Sequence, residues 1–121
     1  MRFKDTTPFT KRVQESRRIL EAYPDMIPVI CEKGRGDMDT PGTEKKKYLV
    51  PNTMTVGQFM FVLRKRIQLS PEKAMFLFFT NGLMATTSTR IASAYEYHGD
   101  PDGFLYMTYT SESCFGFVDL Y

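Results

Sequence analysis

The sequence predicts an α+β fold in which a small mixed sheet is crossed by one long helix and preceded by a helical N-terminal segment. Two strand-like runs, MIPVICEK and KKKYLVP, come before a helical run, TVGQFMFVLRKRIQL, and two further strand-like runs follow it. Strands and helices in this order, without an internal repeat or a linker, are typical of a single α+β domain. The 121 residues, of which 42% are apolar, are enough to form one core.

The N-terminal segment is predicted to form an amphipathic helix, either in one piece or broken into two. Thr7 is predicted to be the N-cap and Pro8 to lie in the first turn, and Tyr23 and Pro24 end the run. Residues at helical spacing between them form one stripe, which consists of Phe9, Val13, Ser16 and Leu20.

The next two runs are predicted to be strands. MIPVICEK is short and β-branched, and Pro28 must lie near its start or at an edge because proline cannot donate a hydrogen bond to a ladder. KKKYLVP is expected to pair with it as a hairpin around the loop GRGDMDTPGTE.

The long helix is predicted by its cap and by its stripe. Thr55 and Gln58 have the spacing of a capping box, and Arg64, Lys65 and Arg66 fall in the last turns, where the helix dipole favours positive charge. The apolar stripe consists of Val56, Phe59, Met60, Leu63 and Ile67.

The C-terminal half is predicted to add two strands and a short helix. AMFLFFT has the profile of a buried central strand, a short helix or turn begins near Ser88, and FLYMTYT after the turn at residues 100–103 is the last strand. A right-handed crossover places the first and last strands side by side, which gives a four-stranded β-grasp, the ubiquitin-like architecture. KKKYLVP then lies at a sheet edge and exposes unpaired backbone groups to which an extended peptide can add.

Composition excludes several classes of protein. No apolar run approaches the roughly 20 residues that span a bilayer, and the charged N-terminus does not resemble a signal peptide, so we expect a soluble cytosolic protein. Cys31, Cys114 and His98 do not supply four zinc ligands, so we expect neither a metal nor a cofactor. No nucleophile elbow or phosphate-binding loop is present, and Cys114 lacks an identified activating partner.

Charge is distributed unevenly along the chain. Residues 1–23 hold six Lys and Arg against three acidic residues, whereas residues 67–121 hold two against six. One face is therefore expected to be basic, either as a solvated surface or as a contact for acidic partners.

Seven blocks occur together in the order of a known family: IPVICEK, KYLVP, TVGQF, RKRI, PEKA, DGFLY and a terminal FG. From Pro8 to Gly116 the chain resembles the autophagy ubiquitin-like modifiers that are conjugated to phosphatidylethanolamine, the GABA-receptor-associated-protein-like family. The resemblance implies an N-terminal helical extension over residues 1–24, a ubiquitin-like core over residues 25–116 and a propeptide over residues 117–121.

The resemblance also implies what happens to the tail. A dedicated cysteine protease cleaves between Gly116 and Phe117, and activating and conjugating enzymes then join the glycine carboxylate to the lipid. The protein would be a monomeric, non-enzymatic modifier, cytoplasmic before conjugation and on autophagosomal membranes after it, with no nucleic-acid partner. The alternative is a non-conjugated module whose basic face contacts RNA, microtubules or anionic membranes.

The family also binds short motifs that carry an aromatic residue and, three positions on, an aliphatic one. By position, the aromatic pocket consists of Glu15, Ile19, Pro28, Ile30, Lys47, Leu49 and Phe104. The aliphatic pocket consists of Tyr48, Val50, Pro51, Met54, Phe59, Val62 and Leu63. Acidic residues beside the motif would meet Lys45, Lys46 and Arg66. Met26 stands where many relatives carry a basic residue, and the loops KGRGDMDTPG and NGLMATTSTR differ from typical relatives.

Overall fold

The computed structural model describes residues 2–35, 40–42 and 45–111, which form four helices and four strands. The helices are α1 (Phe3–Thr6), α2 (Phe9–Ala22), α3 (Val56–Ile67) and α4 (Ile91–His98). The strands are β1 (Met26–Lys33), β2 (Lys47–Pro51), β3 (Met75–Phe79) and β4 (Leu105–Ser111). Expectations for Cys114, Gly116 and Phe117 fall on residues outside these ranges.

The strands form one mixed sheet in the order β2-β1-β4-β3. β1 and β2 are antiparallel, β1 and β4 are parallel, and β3 and β4 are antiparallel. The predicted hairpin, the adjacent placement of the first and last strands and the edge position of β2 are all confirmed.

Pro28 lies in β1 where its missing N–H costs nothing. The Cys31 N–H donates to the Lys46 carbonyl at 2.8 Å, and antiparallel hydrogen bonds alternate along a strand, so Pro28 occupies a position that makes no bond to β2. Pairing with β4 begins only at Val29, opposite Leu105. The prediction that placed Pro28 near the start of its strand is confirmed.

The prediction that AMFLFFT forms a central strand is wrong, because β3 lies at the edge of the sheet. Met75, Leu77 and Phe79 are buried, while Phe76 and Phe78 on the other face are partly exposed. A run of apolar residues shows that both faces of a strand are apolar, but it does not show how many neighbouring strands it has.

The two faces of the sheet carry different cores. Alternate strand residues point to opposite faces, so Val29 and Leu105 face one way and Ile30 and Tyr106 the other. The main core lies on the first face, against α3 and α4. A smaller cluster lies on the second face and consists of Phe3, Ile30, Phe104 and Tyr106, with the partly buried Ile19 packed against it.

The predicted N-cap is correct for α3 and incorrect for α2. At α3 the predicted capping box is confirmed, since Gln58 N–H donates to Thr55 Oγ1 at 3.2 Å and Thr55 N–H donates to Gln58 Oε1 at 2.9 Å. At α2 the predicted Thr7 cap is wrong, because Pro8 is the capping residue and makes no side-chain cap bond. The Thr7 carbonyl instead accepts a hydrogen bond from Arg12 Nη1 at 2.5 Å.

Across the described ranges, the longest helices are too short and too polar to cross a bilayer.

Candidate functional site

The outer edge of β2 is the most open part of the sheet's backbone. In the described part of the chain β2 pairs with β1 alone, so its other side presents backbone donors and acceptors that no strand satisfies. An extended segment of another chain can therefore add to this edge through main-chain hydrogen bonds.

The side chains of β2 divide between the two faces of the sheet. Lys47 and Leu49 are exposed, whereas Tyr48 and Val50 are buried in the main core beside α3. The edge strand thus separates two groups of side chains, one on the α2 side and one on the α3 side.

The structure brings the predicted aromatic-pocket residues together on the α2 side. Ile19 of α2 packs against the cluster that contains Ile30 and Phe104, and Pro28 lies opposite Leu49 in the β1–β2 pair. Pro28, Ile30 and Phe104 are buried, while Leu49 is 39% exposed and supplies an accessible apolar surface.

An ion pair crosses the α2 side of the edge strand. Lys47 Nζ lies 2.9 Å from one carboxylate oxygen of Glu15 and 5.1 Å from the centre of the Phe3 ring. This contact links β2 to α2 directly, and both side chains stay within reach of solvent.

Six of the seven predicted aliphatic-pocket residues lie on the opposite face, and most of those six are core residues. Pro51 ends β2 two residues after Leu49, so strand alternation places it on the α2 side. Tyr48, Val50, Phe59 and Leu63 are buried in the main core, and Tyr48 packs edge-to-face on Phe59 with ring centres 5.4 Å apart. The remaining three members, at the surface or partly buried, are Pro51, Met54 and Val62. Fewer residues are therefore accessible to a ligand on this side than the seven that were predicted.

The three residues expected to meet acidic groups have different surroundings. Lys46 Nζ lies 3.4 Å from a Glu32 carboxylate oxygen, Lys45 Nζ lies 5.2 Å from the Tyr48 ring centre, and Arg66 is exposed at the end of α3. Burial raises the pKa of Tyr48 to about 12, and the positive charge of Arg66 opposes this rise. Arg66 is thus close enough to influence Tyr48.

A buried polar network that the sequence did not predict joins α2 to the turn before β4. The Asp102 side chain is 0% exposed, and its Oδ2 accepts hydrogen bonds from Arg12 Nε at 2.8 Å and from the Tyr106 hydroxyl at 2.5 Å. The hydrogen bond to Asp102 raises the pKa of Arg12 despite burial. Burial, together with the same carboxylate, raises the pKa of Tyr106.

The sequence carried one signal of this network. Ser16 sits in the stripe of α2 that otherwise reads as apolar, and in the structure it is buried and its Oγ donates to the Asp102 carbonyl at 2.5 Å. A serine on the inner face of a helix indicates a polar partner. The partner itself is 86 residues away and leaves no local pattern.

A second carboxylate anchors α1. Glu32 Oε2 accepts the Phe3 backbone N–H at 2.9 Å, and the Lys46 and Arg2 side chains lie at 3.4 Å and 4.0 Å from its oxygens. Within the described ranges, no three His, Cys, Asp or Glu side chains converge as a metal site would require.

The β-grasp sheet, the two N-terminal helices and the open edge strand together define a ubiquitin-like protein. A family model described as "Autophagy protein Atg8 ubiquitin like" matches residues 11–116. Autophagy-related protein 8 of Schizosaccharomyces pombe is 53% identical over 116 residues, which cover 96% of this chain and 94% of that protein.

Other relatives agree. Autophagy-related protein 8 of Coccidioides immitis is also 53% identical over 116 residues, with 95% of this chain and 97% of that protein covered. The crystal structure of Trypanosoma brucei ATG8 superposes with a TM-score of 0.87 at 40% identity and covers 93% of this chain and 95% of that one. The chain belongs to the Atg8 family of autophagy-related ubiquitin-like proteins.

Proposed function

We propose that the protein is a ubiquitin-like modifier that is cleaved after Gly116 and conjugated to phosphatidylethanolamine on autophagosomal membranes. The observation that carries this proposal is that the family match ends at residue 116, a glycine, and leaves residues 117–121 outside it. In this role the protein is a substrate of a processing protease and of activating and conjugating enzymes, and it catalyses nothing itself. Residues 1–24 form its helical extension, residues 25–116 its ubiquitin-like core and residues 117–121 its propeptide.

Glycine suits the position of attachment for a chemical reason. It has no Cβ, so its carbonyl can approach a catalytic cysteine closely and its backbone can adopt angles that other residues rarely reach. ATP activates the freed carboxylate as an acyl adenylate with release of pyrophosphate, and an enzyme thiolate then displaces AMP to form a thioester. The thioester passes between enzyme cysteines until the lipid amine attacks its carbonyl carbon and displaces the thiolate, which leaves an amide.

The conjugation proposal is tested with Gly116→Ala in the protein's own cells. We expect the unaltered chain to lose residues 117–121 and to form an adduct that phospholipase D removes, and the variant to form no adduct while it keeps its thermal stability. Intact mass and electrophoretic mobility report the cleavage and the adduct, and thermal denaturation reports the stability of the variant. Efficient lipid attachment of the variant contradicts the proposal.

We further propose that the β2 edge binds receptor and cargo motifs that carry an aromatic residue and, three positions on, an aliphatic one. Alternate side chains of an extended peptide point to opposite faces, so residues separated by the odd number three point to opposite faces. This matches the edge strand, which has the aromatic-pocket residues on one face and the aliphatic-pocket residues on the other. That correspondence is the observation that carries the binding proposal.

Charge supports the same partner. Lys45, Lys46 and Lys47 precede or begin β2, and Arg66 ends α3 nearby, so acidic residues beside the motif find positive charge at the edge strand. Such contacts speed association and help to set the register of the peptide more than they add affinity.

The binding proposal is tested by replacing Lys47 and Leu49 together with Ala. We expect the affinity for a synthetic acidic Trp-x-x-Leu peptide to fall about tenfold or more by calorimetry, because an anchor loses its apolar and charged contacts. The matched control replaces Lys73 and Leu83, an exposed pair of the same residue types, and leaves the affinity unchanged. Equal affinity of both double variants contradicts the assignment.

A further inference from the structure

We propose that the buried network around Asp102 positions α2 and thereby sets the affinity of the aromatic pocket, so that Asp102 and its partners determine motif binding without touching the motif. We call this network the Asp102 clasp, and it consists of Arg12, Ser16, Asp102 and Tyr106. The inference rests on the proposed motif-binding function and assigns that function positioning residues on a part of the fold away from the edge strand.

Apolar burial contributes less to holding α2 than it does to α3. Among the fourteen residues of α2, all of which the structure describes, Ser16 alone is buried. The apolar residues Val13, Ile19 and Leu20 are only partly buried, and Phe9, at the start of the predicted apolar stripe, is 50% exposed. Because no apolar side chain of α2 is buried, polar contacts carry a larger share in positioning this helix.

Both carboxylate oxygens and the carbonyl of Asp102 have hydrogen-bond partners in the clasp. Asp102 Oδ2 accepts from Arg12 and Tyr106, its Oδ1 accepts the Phe104 backbone N–H at 2.9 Å, and its carbonyl accepts from Ser16. Hydrogen bonds to a fully buried carboxylate are strong because water cannot solvate its charge if a hydrogen bond is lost. The clasp therefore fixes both the distance and the rotation of α2 relative to the start of β4.

Helix α2 comes close to the backbone of the turn at Gly103. This residue has φ +93°, and a Cβ placed on it would overlap Ser16 Oγ. Its carbonyl accepts a hydrogen bond from the Tyr95 hydroxyl at 2.8 Å, which ties the turn to α4. The turn is thus held on the body of the protein, and α2 is seated directly against it.

The clasp residues and the pocket residues of α2 share one face of this helix. In a helix with about 3.6 residues per turn, Arg12, Glu15, Ser16 and Ile19 fall within roughly 100° of arc. Arg12 and Ser16 bind Asp102, while Glu15 and Ile19 belong to the predicted aromatic pocket. A displacement of the helix at the clasp must move the two pocket residues as well.

The aliphatic pocket has no such dependence. Apart from Pro51, its members lie on the opposite face of the sheet, on β2, on α3 and between them, and most are held by the main core. The inference therefore predicts that loosening the clasp weakens the aromatic half of the motif and leaves the aliphatic half unaffected. A general loss of structure would weaken both halves alike.

The test compares the affinities of two peptides for the Arg12→Gln variant and for the unaltered protein. The Arg12 side chain is 11% exposed. The probes are an acidic Trp-x-x-Leu peptide and the same peptide with Ala in place of Trp, and NMR titration measures weak as well as tight binding. We expect the variant to bind the Trp peptide about tenfold more weakly, as loss of a charge-assisted contact does, with unchanged affinity for the Ala peptide.

Two further variants separate positioning from charge. Tyr106→Phe removes one hydroxyl from the clasp without changing charge, and we expect a smaller loss with the same dependence on Trp. Arg35→Gln removes another arginine whose ion pair with Asp5 is exposed at 3.9 Å, and we expect no change.

Two results overturn the inference while the proposed function stands: equal losses for both peptides, or no loss for either peptide in Arg12→Gln and Tyr106→Phe. Failure of the unaltered protein to bind the Trp peptide overturns the proposed motif binding, and this inference with it.

Discussion

Helices α2 and α3 flank the same edge strand from opposite faces, yet different forces hold them. α3 buries four apolar side chains, Val56, Phe59, Leu63 and Ile67, in the main core. α2 buries one serine and is attached through a carboxylate that belongs to the turn before β4.

This difference has a physical consequence for binding. Apolar burial is non-directional and scales with area, so α3 is held by many small contributions, at about 1.5–3 kcal/mol for each fully buried large side chain. A hydrogen-bonded carboxylate is directional, so the seat of α2 depends on a few atoms. On the α3 side of the proposed groove the helix position is therefore insensitive to most single substitutions. On the α2 side a single substitution can change it.

The largest expected effect lies on the α3 side. Phe59→Ala removes a side chain that is 1% exposed and packs on Tyr48, and we expect a loss of about 3–5 kcal/mol in the free energy of unfolding. Phe61→Ala on the same helix is the matched control, because Phe61 is 61% exposed, and it should change stability by less than about 0.5 kcal/mol. Urea denaturation measures both. Similar losses in the two variants would mean that α3 is not held by its inner face.

An intermediate effect is expected on the α2 side. Arg12→Gln should lower the free energy of unfolding by about 1–3 kcal/mol, since it removes a charged donor from a buried carboxylate that keeps its other partners. Arg35→Gln, whose ion pair is exposed, is again the control and should have no measurable effect. A loss of unfolding free energy in Arg12→Gln as large as that in Phe59→Ala would contradict the proposed difference in how α2 and α3 are held.

The smallest effect is expected on the pH dependence of stability, through the ion pair between Lys4 of α1 and Asp100. The pKa of Asp100 lies below its ordinary value of 3.8: burial opposes this, but the hydrogen bonds from Lys4 and from the Asp102 backbone outweigh it. A lowered folded-state pKa contributes stability above the unfolded value and loses it as pH falls through the folded one. In Lys4→Gln we expect the pKa of Asp100 to rise and stability above pH 4 to fall by about 0.2–1 kcal/mol.

An NMR titration of the Asp100 carboxyl measures this change, and denaturation at several pH values measures its effect on stability. Tyr97→Phe, at a side chain that is 79% exposed, serves as the control. An unchanged Asp100 pKa in Lys4→Gln would show that the 2.6 Å ion pair has no energetic role.

The sequence predicted the parts of the fold that depend on local pattern. The bounds of β1, the capping box of α3 and its inner stripe follow from spacing within a few residues, and all were confirmed. The position of β3 in the sheet was mispredicted, because it depends on neighbours distant in sequence. The cap of α2 was mispredicted by one residue, since Pro8 caps this helix without a side-chain hydrogen bond.

The candidate site divides in the same way. The sequence predicted that β2 is a strand at the sheet edge, from which two faces of side chains follow, whereas the Asp102 clasp was not predicted. Residues 100–103 were correctly predicted as a turn, and Gly103 has the positive φ that such turns use. That the same turn buries a carboxylate against Arg12, 90 residues away, required the three-dimensional structure.

The most direct test of the difference between the two helices is native-state hydrogen exchange under mild denaturant. Amides of α3 should exchange with the free energy of global unfolding, and amides of α2 should exchange through a smaller local opening. Arg12→Gln should speed exchange in α2 more than in α3. Equal protection of the two helices, changed equally by Arg12→Gln, would contradict the account and show that one cooperative core holds both.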